Sequence, residues 1–183
     1  MENLQGRLLV AAPQLADPNF VRTVVLMVEH NDQGALGLVL NRPSDKTLKD
    51  LWEQLGLKTA ADSRPVHVGG PVPGPLMVVH GVAELAEMEV LSSVFLSAKK
   101  AHIDQLVPQS SLTWKVFLGH SGWGAGQLER ELSEGAWLTA AATPAEVFSA
   151  DPELWEQVCK GIGTEFYRTC LGIRALPPDP QAN

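Results

Sequence analysis

Residues 21–40, VRTVVLMVEHNDQGALGLVL, constrain the architecture of this protein more strongly than any other part of its sequence. The residues from Val24 to Val28 are apolar at every position, which predicts a strand that is covered on both faces. Turn-forming residues follow from Asn31 to Gly34, and a second apolar run then extends to Leu40. Two apolar runs joined by a short polar turn predict an antiparallel β-hairpin.

Strands and helices are predicted on both sides of this hairpin. Strands are expected at residues 6–12, 66–68, 76–80, 90–96, 112–118 and 136–140. Helices are expected at residues 48–55, with a stop at Gly56, and at 97–106, with Ser97 as N-cap. Three more are expected after the glycine-rich turn 119–126, at the capping box that begins at Thr143, and after Asp151-Pro152. These elements show no regular βαβ alternation, so we predict an α+β fold with a mixed sheet flanked by helices.

Length and composition predict one domain over residues 1–176, followed by a disordered, proline-rich tail at 177–183. The net charge of -7 opposes a surface that neutralises phosphates, so we do not expect direct nucleic-acid binding. We find no signal peptide and no apolar run long enough to span a bilayer, which predicts no membrane association. Cys159 and Cys170 do not form a disulfide framework, and a reducing, cytoplasmic location is expected.

The glycine-rich segment 119–129 is the most unusual part of the sequence. It lies between a strand and a helix, where a nucleophile elbow would be, but Trp123 stands where Gly-x-Ser-x-Gly needs its second glycine. His120 is adjacent to Ser121, and adjacent side chains of an extended chain point to opposite faces, so His120 is poorly placed as a base. The alternative interpretation is that the glycines permit a tight turn and close packing.

A ligand site, if present, is expected in a groove lined by three glycine- or proline-rich segments and one strand end. Its candidate residues are Asn41, Gly69, Gly70, His80, Ser121, Trp123 and Gly124. Trp123 would form an apolar wall, and the backbone N–H groups near Gly124 would be donors. The competing interpretation is that each glycine solves a local packing problem on a different side of the molecule.

Metal and cofactor sites are not predicted. The five histidines are scattered without a helical i, i+4 pair, and no cysteine cluster is present. No Walker A lysine or Gly-x-Gly-x-x-Gly spacing occurs, so a nucleotide cofactor is not expected either. No complete catalytic constellation can be identified, and no residue is assigned a catalytic role.

Several motifs resemble the YqgE/AlgH family in the order in which that family has them. They are GRLLVAAP at 6–13, DPNF at 17–20, GALGLVLNRP at 34–43, VGGPV at 68–72 and GWGAGQLE at 122–129. The resemblance runs from about Gly6 to about Gly161. The sequence departs from the family at His120-Ser121, where members commonly carry Tyr-Ala, and this departure weakens a catalytic role for Ser121.

The resemblance implies a bacterial cytoplasmic protein whose bifurcated, largely antiparallel sheet rolls into a pseudo-barrel. The family is often labelled a transcriptional regulator, and the resemblance supplies no catalytic residues. We therefore expect a non-enzymatic binding or regulatory protein that acts through an unidentified protein or small ligand. A hydrolase with a groove site near Ser121 and His80 is the alternative, and direct DNA binding is disfavoured by the acidic charge. The sequence leaves the oligomeric state open.

Overall fold

The computed structural model of the protein describes residues 3–54, 63–109 and 111–170. Within these residues the strands are β1 (Arg7–Ala11), β2 (Val24–Asn31), β3 (Gly34–Val39), β4 (Pro43–Thr47), β5 (Pro65–Val68), β6 (Val72–His80), β7 (Met88–Leu91), β8 (Val94–Ser97), β9 (Trp114–Gly124) and β10 (Trp137–Ala141). The helices are α1 (Leu48–Gln54), α2 (Lys100–Leu106), α3 (Gln127–Ser133), α4 (Pro144–Val147) and α5 (Leu154–Cys170). The predicted helix stop at Gly56 and the tail 177–183 lie outside the described residues.

The strands form one curled sheet in the order β10-β1-β2-β3-β9-β6-β8-β7. The predicted hairpin is confirmed: β2 and β3 are antiparallel and are joined by the turn from Asn31 to Gly34. Strand β9 divides the sheet, because residues 121–124 pair with β3 while residues 116–118 pair in parallel with β5. The sheet is therefore bifurcated, mixed and largely antiparallel, as expected for the predicted α+β class.

Both faces of the central strands are buried, which explains the unbroken apolar run in β2. Val24 and Leu26 pack in one cluster with Leu154 and Val158 of α5. Val25 and Met27 point the other way, into a cluster that includes Leu128 of α3 and Trp137 of β10. A third cluster places Leu48 and Trp52 of α1 and Ile103 of α2 against Val78 and Val116. Helices therefore cover the sheet on more than one side.

The division of the sheet at β9 requires two backbone segments to come very close. A Cβ atom added to Gly69 would lie 2.3 Å from the Gly119 carbonyl oxygen. One added to Gly70 would lie 2.3 Å from the His120 carbonyl carbon. The Gly69 N–H donates to the Leu118 carbonyl oxygen and its own carbonyl accepts from the Val39 N–H, both at 2.9 Å. Gly69 therefore links both branches of the sheet.

Three local predictions were wrong. The segment 119–124 is not a turn but the second half of β9, because its glycines allow close backbone approach within the sheet. The predicted strand 90–96 is a hairpin of β7 and β8 that reverses at Ser93, which has φ of +64°. Ser97 is not an N-cap but the buried last residue of β8.

The substitution Gly70→Ala should destabilise the protein by roughly 2–4 kcal/mol, because the new Cβ combines backbone strain with a clash against the backbone of β9. Gly161→Ala in α5 is the matched control: nothing lies within 4 Å of its added Cβ. Replacing a helical glycine by alanine should stabilise the protein by up to about 1 kcal/mol. Urea unfolding of both variants measures these changes, and a Gly70→Ala variant as stable as the wild type would contradict the packing described here.

Candidate functional site

Three of the predicted groove residues meet at the division of the sheet, where they have a structural role. Ser121 is fully buried and its Oγ donates to the Gly69 carbonyl oxygen at 3.2 Å. Gly70 packs against the backbone that joins His120 to Ser121. A buried hydroxyl that donates to a backbone carbonyl is not placed to attack a substrate.

Trp123 and Gly124 belong to a hydrogen-bonded network that uses most of the GWGAGQLE motif. The Trp123 and Trp137 indole N–H groups donate to the same oxygen of Glu131, at 2.9 and 2.8 Å. Gln127 donates to the other Glu131 oxygen, and its own side-chain oxygen accepts the Gly124 N–H at 3.1 Å. The Gly124 donor that was assigned to a ligand is therefore satisfied within the chain, and Trp123 is buried.

His80 is held inside the protein by three hydrogen bonds in sequence. Its Nδ1 accepts from the Val82 N–H at 3.2 Å, so the neutral ring carries its proton on Nε2 and donates to the Ser97 Oγ at 2.9 Å. The Ser97 hydroxyl donates in turn to the Leu85 carbonyl oxygen. Burial lowers the pKa of His80, and the nearby His102 lowers it further. His80 is thus a neutral, fully paired core residue.

The structure does not gather the seven predicted residues into one groove. His80 pairs with Trp114 at the start of β9, whereas Ser121 lies seven residues further along, on the order of 20 Å in an extended strand. Gly70 and Trp123 line two different surface depressions. The shared groove, and with it the pairing of Ser121 with His80, is therefore wrong.

Asn41 is the predicted site residue that lines the main pocket described below. Its Oδ1 accepts from the Val24 N–H at 3.0 Å, and its Nδ2 donates to the Arg22 carbonyl oxygen at 2.9 Å. These bonds hold the start of β2 against the end of β3. From this position Asn41 lines a pocket of about 310 Å³.

This pocket, which we call the lysine pocket, lies where β9, β5, the β3–β4 connection and the α4–α5 connection meet. Its apolar walls are formed by Leu40, Pro43, Pro65, Trp114, Phe148 and Pro152. Its polar lining consists of Asn41, Arg64, His67, Lys115, Ser149 and Asp151. An apolar cavity with a few convergent polar groups is the usual form of a small-ligand site.

Lys115 is the most unusual residue of the lysine pocket, because only 6% of it is exposed. It lies in the part of β9 that is buried on both faces, between the buried residues Trp114 and Val116. Its Nζ donates to the carbonyl oxygens of Leu40, at 3.2 Å, and of Ser149. Burial lowers the pKa of Lys115 to about 8, so at neutral pH most molecules carry a buried ammonium.

Two other basic groups line the pocket beside Lys115. His67 is buried and stays neutral, since burial and then the charge of Lys115 lower its pKa to about 4. Its Nδ1 is buried without a hydrogen-bond partner among the described residues. The Arg64 guanidinium lies 3.2 Å from the centre of the Trp114 ring and donates to the Leu112 carbonyl oxygen.

Asp151 is the one carboxylate among the described residues that line the lysine pocket. Both of its oxygens are already used at the start of α5. Oδ1 accepts the Glu153 N–H at 2.8 Å, and Oδ2 accepts from the Gln157 side chain at 2.6 Å. Asp151 is therefore engaged away from Lys115, and the buried ammonium of Lys115 favours an anionic occupant.

Sequence reasoning missed Lys115, although a signal was present. Lys115 is the one charged residue in LTWKVFL, residues 112–118, a run that was correctly read as a buried strand. Lysine is almost never fully buried without a partner or a function, so a lysine in a buried strand is a candidate functional residue. Arg64 and Asp151 could not be found in this way, because only folding brings them to the same pocket.

Among residues 3–54, 63–109 and 111–170, no group of three His, Cys, Asp or Glu side chains could hold a metal ion. No helix in the same ranges is both long enough and apolar enough to cross a bilayer.

The forked, largely antiparallel sheet with helices on more than one side defines an α+β protein. An AlgH-like family model matches residues 8–167, and the chain belongs to this family. A UPF0301 protein of Myxococcus xanthus is 39% identical over 170 residues, which cover 90% of this chain and 94% of that protein. A UPF0301 protein of Pseudomonas aeruginosa is 40% identical over 161 residues, which cover 82% of this chain and 83% of that protein.

Solved structures show the same architecture. The solution structure of the AlgH protein from Pseudomonas aeruginosa matches with a TM-score of 0.74 and 35% identity, and covers 96% of both chains. The crystal structure of protein DIP2367 from Corynebacterium diphtheriae matches with a TM-score of 0.72 and 24% identity, and covers 88% of both chains. The second likeness concerns the fold alone.

Proposed function

We propose that this protein is a non-enzymatic binding protein with a regulatory role, and that the lysine pocket holds its small ligand. The observation that carries the proposal is the buried Lys115, whose Nζ is held at an apolar pocket by two backbone carbonyls. Burying an ammonium is costly, and fold stability alone gives no reason to keep one. A group kept in such a position is a candidate for function.

The position of the pocket supports a regulatory rather than a purely storage role. Lys115 connects the sheet to the α4–α5 connection through the Ser149 carbonyl, and Asp151 in the same connection caps α5. A ligand that engages Lys115 would compete with or reinforce this contact. Its free energy of binding would then bias the position of α5 relative to the sheet, and a partner protein could recognise that change.

The proposal assigns no catalytic role, because the serine and histidines singled out among the described residues do not form a nucleophile–base pair. Ser121 is buried and donates to Gly69, and His80 has both ring nitrogens paired. His67 lines the lysine pocket, but its strongly lowered pKa keeps it neutral and weakly basic. Members of the family are often labelled transcriptional regulators, which agrees with a binding role. We also propose that the protein is cytoplasmic.

The substitution Ala150→Trp should abolish ligand binding, because Ala150 is exposed at the pocket and an indole there would fill its mouth without removing a core contact. Isotope-labelled wild-type protein mixed with the small-molecule fraction of a bacterial extract should show amide NMR shifts at Lys115, Ser149 and Ala150. Ala150→Trp should lose these shifts. The compound, once released, should be recovered chemically unchanged.

Ala145→Trp is the matched control, since Ala145 is exposed on α4 and does not line the lysine pocket. It should keep the response of the wild type. A response that survives Ala150→Trp, or one confined to residues remote from the pocket, would exclude this pocket as the site. Recovery of a converted compound would exclude a non-enzymatic role.

Direct DNA binding is not part of the proposed role. The chain carries a net charge of -7, and such a charge repels the phosphate backbone that dominates DNA affinity. A gel-shift assay at physiological salt, with promoter fragments and with random duplexes, should show no complex at micromolar protein. A salt-sensitive complex of nanomolar affinity with one promoter fragment would show that the regulatory role is exerted on DNA directly.

A further inference from the structure

We infer that the ligand of the lysine pocket is a monocarboxylate with an apolar body, and that its carboxylate pairs with Lys115. This inference rests on the proposed function and specifies its ligand. It follows from three features of the pocket: a buried cation with no counter-ion among the described residues, the number of donors left on that cation, and the apolar character of the remaining lining.

The first feature is the missing counter-ion. No carboxylate among the described residues forms an ion pair with Lys115. The two partners of its Nζ, the carbonyl oxygens of Leu40 and Ser149, accept hydrogen bonds but bring no net charge. A buried charge is normally paired, because isolation from water leaves it without compensation. An anion in the pocket would supply the negative charge that the described residues do not provide.

The second feature is the donor count. An ammonium has three N–H donors, and Leu40 and Ser149 use two of those on Lys115. One donor remains, which matches one oxygen of a singly charged carboxylate. A doubly charged phosphate needs more donors than this, and phosphate sites are usually built from several backbone N–H groups at a glycine-rich loop or helix start.

The other charged and titratable groups that line the pocket agree with a single negative charge. Arg64 adds a second cation, although its guanidinium is stacked on Trp114 and donates to Leu112. His67 is neutral, and the Asp151 carboxylate is occupied by Glu153 and Gln157. An anion in the pocket thus meets the ammonium of Lys115, while the one carboxylate among the described lining residues is already hydrogen-bonded elsewhere.

The third feature is the apolar part of the pocket lining. Leu40, Pro43, Phe148 and Pro152 present apolar surface, so the part of the ligand beyond its carboxylate should be apolar. Burial of such a body contributes on the order of 25 cal/mol per Å². A sugar or a polyhydroxylated acid would leave its hydroxyl groups without partners along this wall and is disfavoured.

Matched acid and amide probes test the inference. Wild-type protein is titrated with benzoate and benzamide, and with hexanoate and hexanamide, with amide NMR shifts at Lys115, Ser149 and Ala150 as the readout. Each acid should bind at least about tenfold more tightly than its amide, because the amide keeps the shape but loses the charge. Phenyl phosphate should bind more weakly than benzoate, because the one free donor of Lys115 does not satisfy its additional oxygens.

The variant Lys115→Met should remove this preference and bring each acid to within about twofold of its amide, while the amide affinity stays unchanged. Lys100→Met is the control, because Lys100 is exposed and pairs with Asp104 away from the pocket. It should keep the wild-type preference. A preference for acids that survives Lys115→Met would overturn the assignment of Lys115 as the partner.

A pH series on wild-type protein tests the same point without a variant that could fail to fold. Only the ammonium form of Lys115 should pair with the acid, and its pKa is lowered to about 8. The affinity for benzoate should therefore fall about tenfold between about pH 7 and about pH 9, while that for benzamide stays constant. A benzoate affinity that is constant over this range would refute the pairing.

The outcomes separate the inference from the proposed function. If amides or phenyl phosphate bind at the pocket as tightly as carboxylates, the pocket is a binding site but the ligand class is wrong. If none of the probes shifts the pocket amides while a component of the bacterial extract does, the monocarboxylate inference fails and the proposed function stands. If neither probes nor extract shift them, both fail.

Discussion

The close approach of Gly69 and Gly70 to the backbone of β9 is the constraint on which the rest of the structure depends. Gly69 donates to Leu118 on one side and accepts from Val39 on the other, so a single residue holds both branches of the divided sheet. No side chain fits between these segments. Next to this point β5 pairs with β9 in parallel. The pairing brings His67 beside Phe117, with 5.6 Å between the centres of the two rings.

The same division of the sheet produces the lysine pocket. Where β3 leaves β9, the β3–β4 connection with Leu40 and Asn41 passes above the first half of β9 and leaves space beside Lys115. The α4–α5 connection closes this space from the other side through Ser149. An ordinary sheet would fill the position of Lys115 with a β-branched or aromatic residue. Lys115 thus lies beside the branch point of the sheet. Burying its ammonium there lowers the stability of the fold relative to a hydrophobic residue at the same position.

The sequence predicted those elements whose local pattern agrees with their final environment. The apolar run from Val24 to Val28 shows a strand buried on both faces, and Thr143 with Glu146 forms the expected capping box. The α+β class and the family followed from such patterns. In contrast, the glycines between Gly119 and Gly124 indicated a turn, because a sequence cannot show that another backbone segment lies against a strand.

The candidate site was harder to predict than the fold, for the same reason. Glycines, a tryptophan and a histidine stand out in the sequence as candidate site residues. In the fold, the polar groups of Gly124, Trp123 and His80 are hydrogen-bonded to Gln127, Glu131 and Ser97. Asn41 is the predicted residue that also lines the lysine pocket. Arg64 and Ser149 are distant in sequence and meet only after folding.

A direct titration of Lys115 tests the central claim, that its ammonium is buried at the pocket without a counter-ion. The protein is labelled with carbon-13 at the lysine Cε positions, and the resonance of Lys115, assigned with Lys115→Arg, is followed by NMR against pH. The account predicts a midpoint near 8, against 10.5 for an ordinary lysine. A midpoint near 10.5 would show that Lys115 is solvated or paired, and the lysine pocket would then lose its claim to be the binding site.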